Sequence, residues 1–215
     1  MPTRSDAEEH LRIIRSLMEK ATIYRAISAP TALAGGIFAS LAAAVLHGLV
    51  PPGRSEEEFD GRFFFGWSLV LVLTVLANTF LLWRGSRLRG EPFLSSGMRL
   101  ALIAMLPGML CGAFFTFLFG LGVAVFCLPP IWMLFYGVAL LATKHFAPRS
   151  IMLLGWAFLL AGMASFYLFV HGNLGDRFAV GSNLSMGLTF GLFHLIYAAC
   201  TWPRRGRASD TGAAP

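Results

Sequence analysis

Apolar residues run almost unbroken through six stretches, at about 28–50, 63–83, 98–119, 121–143, 151–170 and 178–202, and charge is confined to the intervals between them. Each stretch is close to the ~20 residues an α-helix needs to cross a ~30 Å hydrocarbon core. Lipid offers no hydrogen bonds to the backbone, so a segment that crosses it must satisfy its own N–H and C=O groups, which a helix does. The pattern therefore predicts an all-α integral membrane protein with six transmembrane helices spanning 28–202. The third and fourth stretches are divided only by Gly120-Leu121-Gly122. A single helix there would be about twice the bilayer thickness, so a tight hairpin is expected. Pro129-Pro130 is expected to kink the fourth helix, because each proline removes a backbone donor.

The segment before the first span has a different pattern. Over 5–24, Leu11, Ile14, Leu17, Met18 and Ala21 recur at helical spacing while Glu8, Arg12, Arg15, Glu19 and Lys20 lie mostly elsewhere. Ser5 and Glu8 fit a capping box, and Glu8–Arg12 and Arg15–Glu19 are helical i,i+4 pairs. Residues 1–27 thus read as an amphipathic helix outside the bilayer, lying on lipid, under the bundle, or against a partner. The start of the chain lacks the short apolar core of a cleaved signal, so the first apolar run is expected to act as a retained anchor. The tail, 203–215, is polar and small-residue and reads as disordered.

Charge changes the picture by giving it a direction. With the N-terminus inside, fourteen of the seventeen Lys and Arg fall on the cytoplasmic side, and only Arg54, Arg62 and Arg177 fall outside. Both termini are then cytoplasmic. The net charge of +6 does not imply nucleic acid, since the cations sit in short loops beside apolar runs and form no basic stripe. Lys20 and Lys144 are the only lysines, an arginine-heavy usage that fits a GC-rich bacterial genome and hence a multi-pass protein of the bacterial inner membrane. Cys111, Cys127 and Cys200 all fall in apolar runs without a CxxC pair, so they read as small hydrophobes.

Candidate chemistry is sparse. On the first span, Ser28, Ala32, Gly36, Ser40, Ala44 and Gly48 form a small-residue stripe at i+4 spacing, the kind of face on which membrane helices pack closely. Gly108–Gly112 and Gly187–Gly191 repeat the motif on the third and sixth spans. Such stripes serve packing within one chain or homo-oligomerisation. No Asp, Glu, Lys or Arg lies centrally in any span, unlike ion-coupled transporters, which carry a group that changes charge. His194 is the ionisable residue deepest in a span, with Asn78 and Thr79 at a similar depth on the second. These three are expected to meet as an interhelical hydrogen bond or as the lining of a cytoplasm-facing cavity.

His47 and His171 near one face, with His145 and His194 near the other, make the arrangement that two haem b groups would need. A metal site from His47, His171 and Asp60 or Asp176 lacks tight ligand spacing. Enzyme motifs are missing: there is no HExxH, no GxSxG and no P-loop. Rhomboid proteases, also six-helix membrane proteins, need a serine nucleophile on the fourth span, and 121–143 contains no serine. The sequence thus leads to a non-enzymatic protein without a cofactor, either a small permease-like transporter or a membrane subunit docking a cytosolic partner. Haem-mediated electron transfer is the alternative. The partners expected are the lipid bilayer, a second copy, or a cytosolic protein held by the N-terminal helix.

Overall fold

The computed structural model describes residues 8–10, 13, 29–48, 56–90, 92–94, 96–119, 127–145, 147–171 and 177–202. Most of the expected N-terminal helix, Ser28 and the 203–215 tail lie outside the described residues. Every element among those described is helical. We label them α1 (Ala29–Gly48), α2 (Glu56–Arg89), α3 (Ser96–Phe119), α4 (Leu128–Ala142), α5 (Arg149–His171) and α6 (177–201). Helix α6 is continuous but changes winding. An α-helical part, Arg177–Met186, passes into a π-helical part, Gly187–Phe193, and returns to α-helix over His194–Thr201.

Among the described residues, five helices are long and apolar enough to cross a membrane: α1, α2 over Gly61–Leu88, α3 over Gly97–Phe119, α5 over Arg149–Leu168, and α6 over Gly181–Thr201. Helix α4 has only 15 residues, ~22 Å at 1.5 Å per residue. It starts at Leu128 rather than Leu121, and Pro129-Pro130 do not kink it. They lie in its first turn, where the missing N–H groups would have had no helical partner anyway. The α4 C-terminus is closed by its own polar groups. Thr143 N–H and Oγ1–H both donate to Leu140 O (3.1 and 2.6 Å), and Ala147 N–H donates to Thr143 O at 2.8 Å, turning the chain into α5. Helix α2 stops at Gly90, whose φ of 66° is the left-handed conformation that glycine adopts freely.

Packing is closest where glycines let backbones meet. A Cβ on Gly137 of α4 would stand 2.8 Å from Leu159 N and 2.9 Å from Gly155 O of α5. Gly108 of α3 meets Phe135 O and Ala139 of α4, and Gly112 meets Trp132. Gly187 and Gly191 of α6 meet Ala43 and Ser40 of α1. Two cores result. One joins α1, α3, α4, α5 and α6 around Met133, Leu140, Ile151 and Phe158, all fully buried. The other gathers Ala39, Ala43, Phe63, Trp67, Leu128 and Met186, and is the only one that α2 enters.

The small-residue stripe on α1 packs over half its length. Ala32 and Gly36 are buried, Gly36 facing Leu195 and Gly191 O, and Ser40 faces Gly191. Ala44 and Gly48 are exposed, and nothing lies within 4 Å of a Cβ at Gly48. The reason is angular. Each i+4 step advances the position by ~40° around a helix with 3.6 residues per turn, so six such positions drift off any one face. The buried residues Ala29, Ala32, Gly36, Ala39 and Ala43 instead alternate three and four, which holds the face fixed.

Candidate functional site

The polar centre of the bundle lies between α4, α5 and α6 and is built on the π-helical turn. In an α-helix the His194 N–H would donate to Phe190 O. Here it donates to Gly191 O, and the imidazole Nδ1 of the same residue contacts Phe190 O at 2.9 Å. A carbonyl can only accept, so Nδ1 carries the proton. Nε2 is then the acceptor for the Tyr136 hydroxyl of α4 at 3.0 Å. The result is a three-member relay, Tyr136 O–H to His194 Nε2 and His194 Nδ1–H to Phe190 O.

Aromatic rings enclose this relay. Phe158 of α5 stands edge-on to Tyr136 (4.8 Å between centroids) and 5.5 Å from His194. Phe190 lies 5.4 Å from Tyr136 and stacks near-parallel to His194. Phe193 closes the edge of Phe158 at 5.4 Å. Tyr136, Phe158 and His194 lie at one depth, roughly 9–14 Å along their helices from the end that carries the α4–α5 turn, at 1.5 Å per residue. At that depth in lipid a lone polar group would be costly, and each member of the relay supplies what another lacks.

The structure does not join His194 to Asn78 and Thr79. Both imidazole nitrogens are used on α4 and on α6 itself. Thr79 is exposed, and Asn78 has a buried Oδ1 without a hydrogen-bond partner among the described residues. The physical reason is the placement of α2, which packs against α1 and leaves the α4–α5–α6 interface to other helices. The histidines are likewise dispersed. His47, His145 and His171 are all exposed, and the His171 ring sits 4.6 Å from Tyr167 on its own helix. The Nε2 lone pair of His194, which an iron would need, is occupied by Tyr136. Among the described residues, no three His, Cys, Asp or Glu groups cluster closely enough to hold a metal ion; Asp176 lies outside them.

Other polar contacts, not anticipated from the sequence, tie the helices together. Trp67 Nε1–H of α2 donates to Asn183 Oδ1 of α6 at 2.9 Å, with both residues buried. Trp132 Nε1–H of α4 donates to Thr116 Oγ1 of α3, which in turn donates to Gly112 O, each at 2.8 Å. Asn183 carried a usable signal: it and Asn78 are the only carboxamides in the predicted spans, and a carboxamide in lipid must find a partner. No known protein family, curated protein or solved structure matches this chain. What the fold defines is a multi-pass helical membrane protein.

Proposed function

We propose that the chain is a six-span protein of a bacterial inner membrane, with both termini cytoplasmic. In this reading it is a non-enzymatic membrane subunit that docks a cytosolic partner through its N-terminal segment. The observation that carries the choice of subunit over permease is the fate of the polar side chains in the spans. Tyr136, His194, Trp67, Asn183, Trp132 and Thr116 are bonded to one another or to helix carbonyls, which is how polar groups fix packing. A permeation path requires the opposite, polar groups turned toward a wet cavity. The sixth crossing is completed in this reading by the apolar residues 121–127 ahead of α4, and the orientation rests on the cation asymmetry.

Three measurements test the proposal. Proteoliposomes carrying the protein should swell in glycerol or urea no faster than empty vesicles; accelerated swelling would restore the permease. Single cysteines at Ser55 and Asn173 should react with an impermeant reagent outside intact cells, and those at Ser86 and Ser209 should not. Labelling at Ser86 would reverse the topology. A photo-crosslinking residue at the exposed Ile13 should give a protein adduct of one discrete mass. Adducts to lipid alone would remove the docking role.

A further inference from the structure

Helix α6 changes phase at its π-helical turn. Positions seven apart on an α-helix lie ~20° apart around the axis, at 3.6 residues per turn. On α6 such pairs disagree. Leu184 is 54% exposed while Gly191 is buried, and Thr189 is 6% exposed while Ile196 is 51% exposed. A π-turn closes over one residue more than an α-turn, which sets the helix beyond it back by ~100°. With that setback Leu184, Leu188, Leu192 and Ile196 share the open face, and Met186, Thr189, Gly191 and Ala198 share the packed one. The setback also serves two bonds at once. Asn183 and His194, eleven residues apart, would stand only ~20° apart on an α-helix. Yet Asn183 accepts from Trp67 of α2 and His194 from Tyr136 of α4. The π-turn opens the angle between them to ~80°.

The turn is held from within by one side chain. It takes the His194 N–H away from Phe190 O, and the imidazole of the same residue stands in through Nδ1–H. Lipid supplies no other donor, so without the imidazole Phe190 O regains a partner when the helix winds back to α. We propose that α6 is a two-register helix in which His194, seated against Tyr136, latches the π-turn. Release returns one residue to the α-helix and turns the segment Arg177–Met186 by ~100° against His194–Thr201. Each residue of the first segment then takes the place of the one before it, so Leu184 leaves the lipid face and Asn183 leaves Trp67. The coupling runs both ways. Breaking the Trp67–Asn183 bond frees the first segment to turn, and that strips the π-turn from beneath His194. Motion of α2 is thereby linked to the polar centre between α4, α5 and α6, and π-turns recur at functional sites for such reasons. The inference needs the chain to be embedded in a bilayer but does not need the docking role proposed above.

The test uses the full-length protein in liposomes, with Cys111, Cys127 and Cys200 replaced by alanine and a trifluoromethyl label on Leu184→Cys or Ile196→Cys. Fluorine NMR reads how far oxygen dissolved in the lipid shifts each label. In the parent both labels should show the large shift of a lipid-facing site. His194→Ala should bring the shift at 184 down to that of a label on the buried Met186→Cys of the parent, and leave 196 unchanged. Excision of Thr189, whose hydroxyl donates to Ser185 O of its own helix, removes the extra residue. In detergent that protein should melt within about 3 °C of the parent, whereas excision of Ile196, beyond the turn, should lower melting by about 5 °C or more. In the Thr189-excised protein His194→Ala should leave the label at 184 exposed, since no residue remains to be returned. A label at 184 that keeps its shift after His194→Ala in the parent would overturn the proposal. So would an equal fall at 196, a fall at 184 in the excised protein, or a Thr189 excision that melts as low as that of Ile196.

Discussion

Helices α2 and α4 stand at opposite extremes of one bundle. Helix α4 has 15 residues and is locked by glycines against both neighbours, with Met133 and Leu140 fully buried. Helix α2 has 34 residues, packs chiefly on α1, and exposes Leu71, Val72 and Leu73 in succession, which puts apolar side chains all around its axis. In water such a helix would be an aggregation hazard. In lipid it is simply solvated, because hydrocarbon is as apolar as leucine. Apolar character therefore says little about which helices hold the bundle together. What separates α4 from α2 is that Gly137 and Gly108 bring its backbone against those of α5 and α3, whereas Gly66 of α2 meets only the Leu46 side chain.

The sharpest way to break that contrast is to put a large side chain on each helix. Gly137→Leu drives a side chain into the backbone of α5, where neither Leu159 N nor Gly155 O can move alone. It should cost about 3 kcal/mol or more, at the top of the usual overpacking range. Gly61→Leu on α2 enters open space and should stay within about 0.5 kcal/mol of the parent. Melting in detergent decides it, and equal losses would end the distinction.

The stripe on α1 offers a smaller version inside one helix. Gly36→Leu meets Leu195 and Gly191 and should cost about 1–3 kcal/mol. Gly48→Leu, three stripe positions further on, should leave the melt unchanged. A loss at Gly48 as large as at Gly36 would mean that the whole stripe packs, with a second copy covering its far end.

Next in size is the relay. A double-mutant cycle with Tyr136→Phe and His194→Ala should return a coupling energy near the membrane average of ~0.6 kcal/mol. The cycle of His194→Ala with Asn78→Ala should return none, since the two share no bond. Coupling in the second cycle and not in the first would relocate the polar centre to α2. The smallest effect belongs to Asn78→Leu. It removes an unpartnered buried oxygen, so stability should hold or rise slightly, within about 0.5 kcal/mol. A clear loss would show that Asn78 has a partner in the membrane.

The helices were legible in the sequence because span length is a one-dimensional quantity, set by rise per residue against hydrocarbon thickness. Residues 98–119 and 151–170 read as spans for that reason, and α3 and α5 coincide with them to within two residues at each end. Helix α4 was less legible, since no local pattern marks whether Pro129-Pro130 bends a helix or begins one. The site was legible only in part. His194 stood out by its chemistry, but its partner depends on how α4 and α6 slide and rotate against each other. A one-residue change in register would turn Tyr136 ~100° away. The π-helical turn that sets this register gives no composition signal beyond Gly187 and Gly191, which α1 packing alone would account for.

The length of α2 has a consequence for where the protein can reside. Its candidate span, Gly61–Leu88, has 28 residues and would measure ~42 Å upright, so that Arg62 at one end and Arg84 and Arg87 at the other stand at the faces of a hydrocarbon layer of ~30 Å. The apolar stretch between those cations, 63–83, matches that layer, and a thinner membrane would be met by leaning, kinking or local thickening of the bilayer. Helix α2 is held mainly by α1, and its Trp67 is hydrogen-bonded to Asn183 of α6, so any such lean is felt at that bond before it reaches the α4–α5 contact. The cations at its two ends thus make α2 a ruler for the apolar layer, while α4, at 15 residues, reaches across less of it.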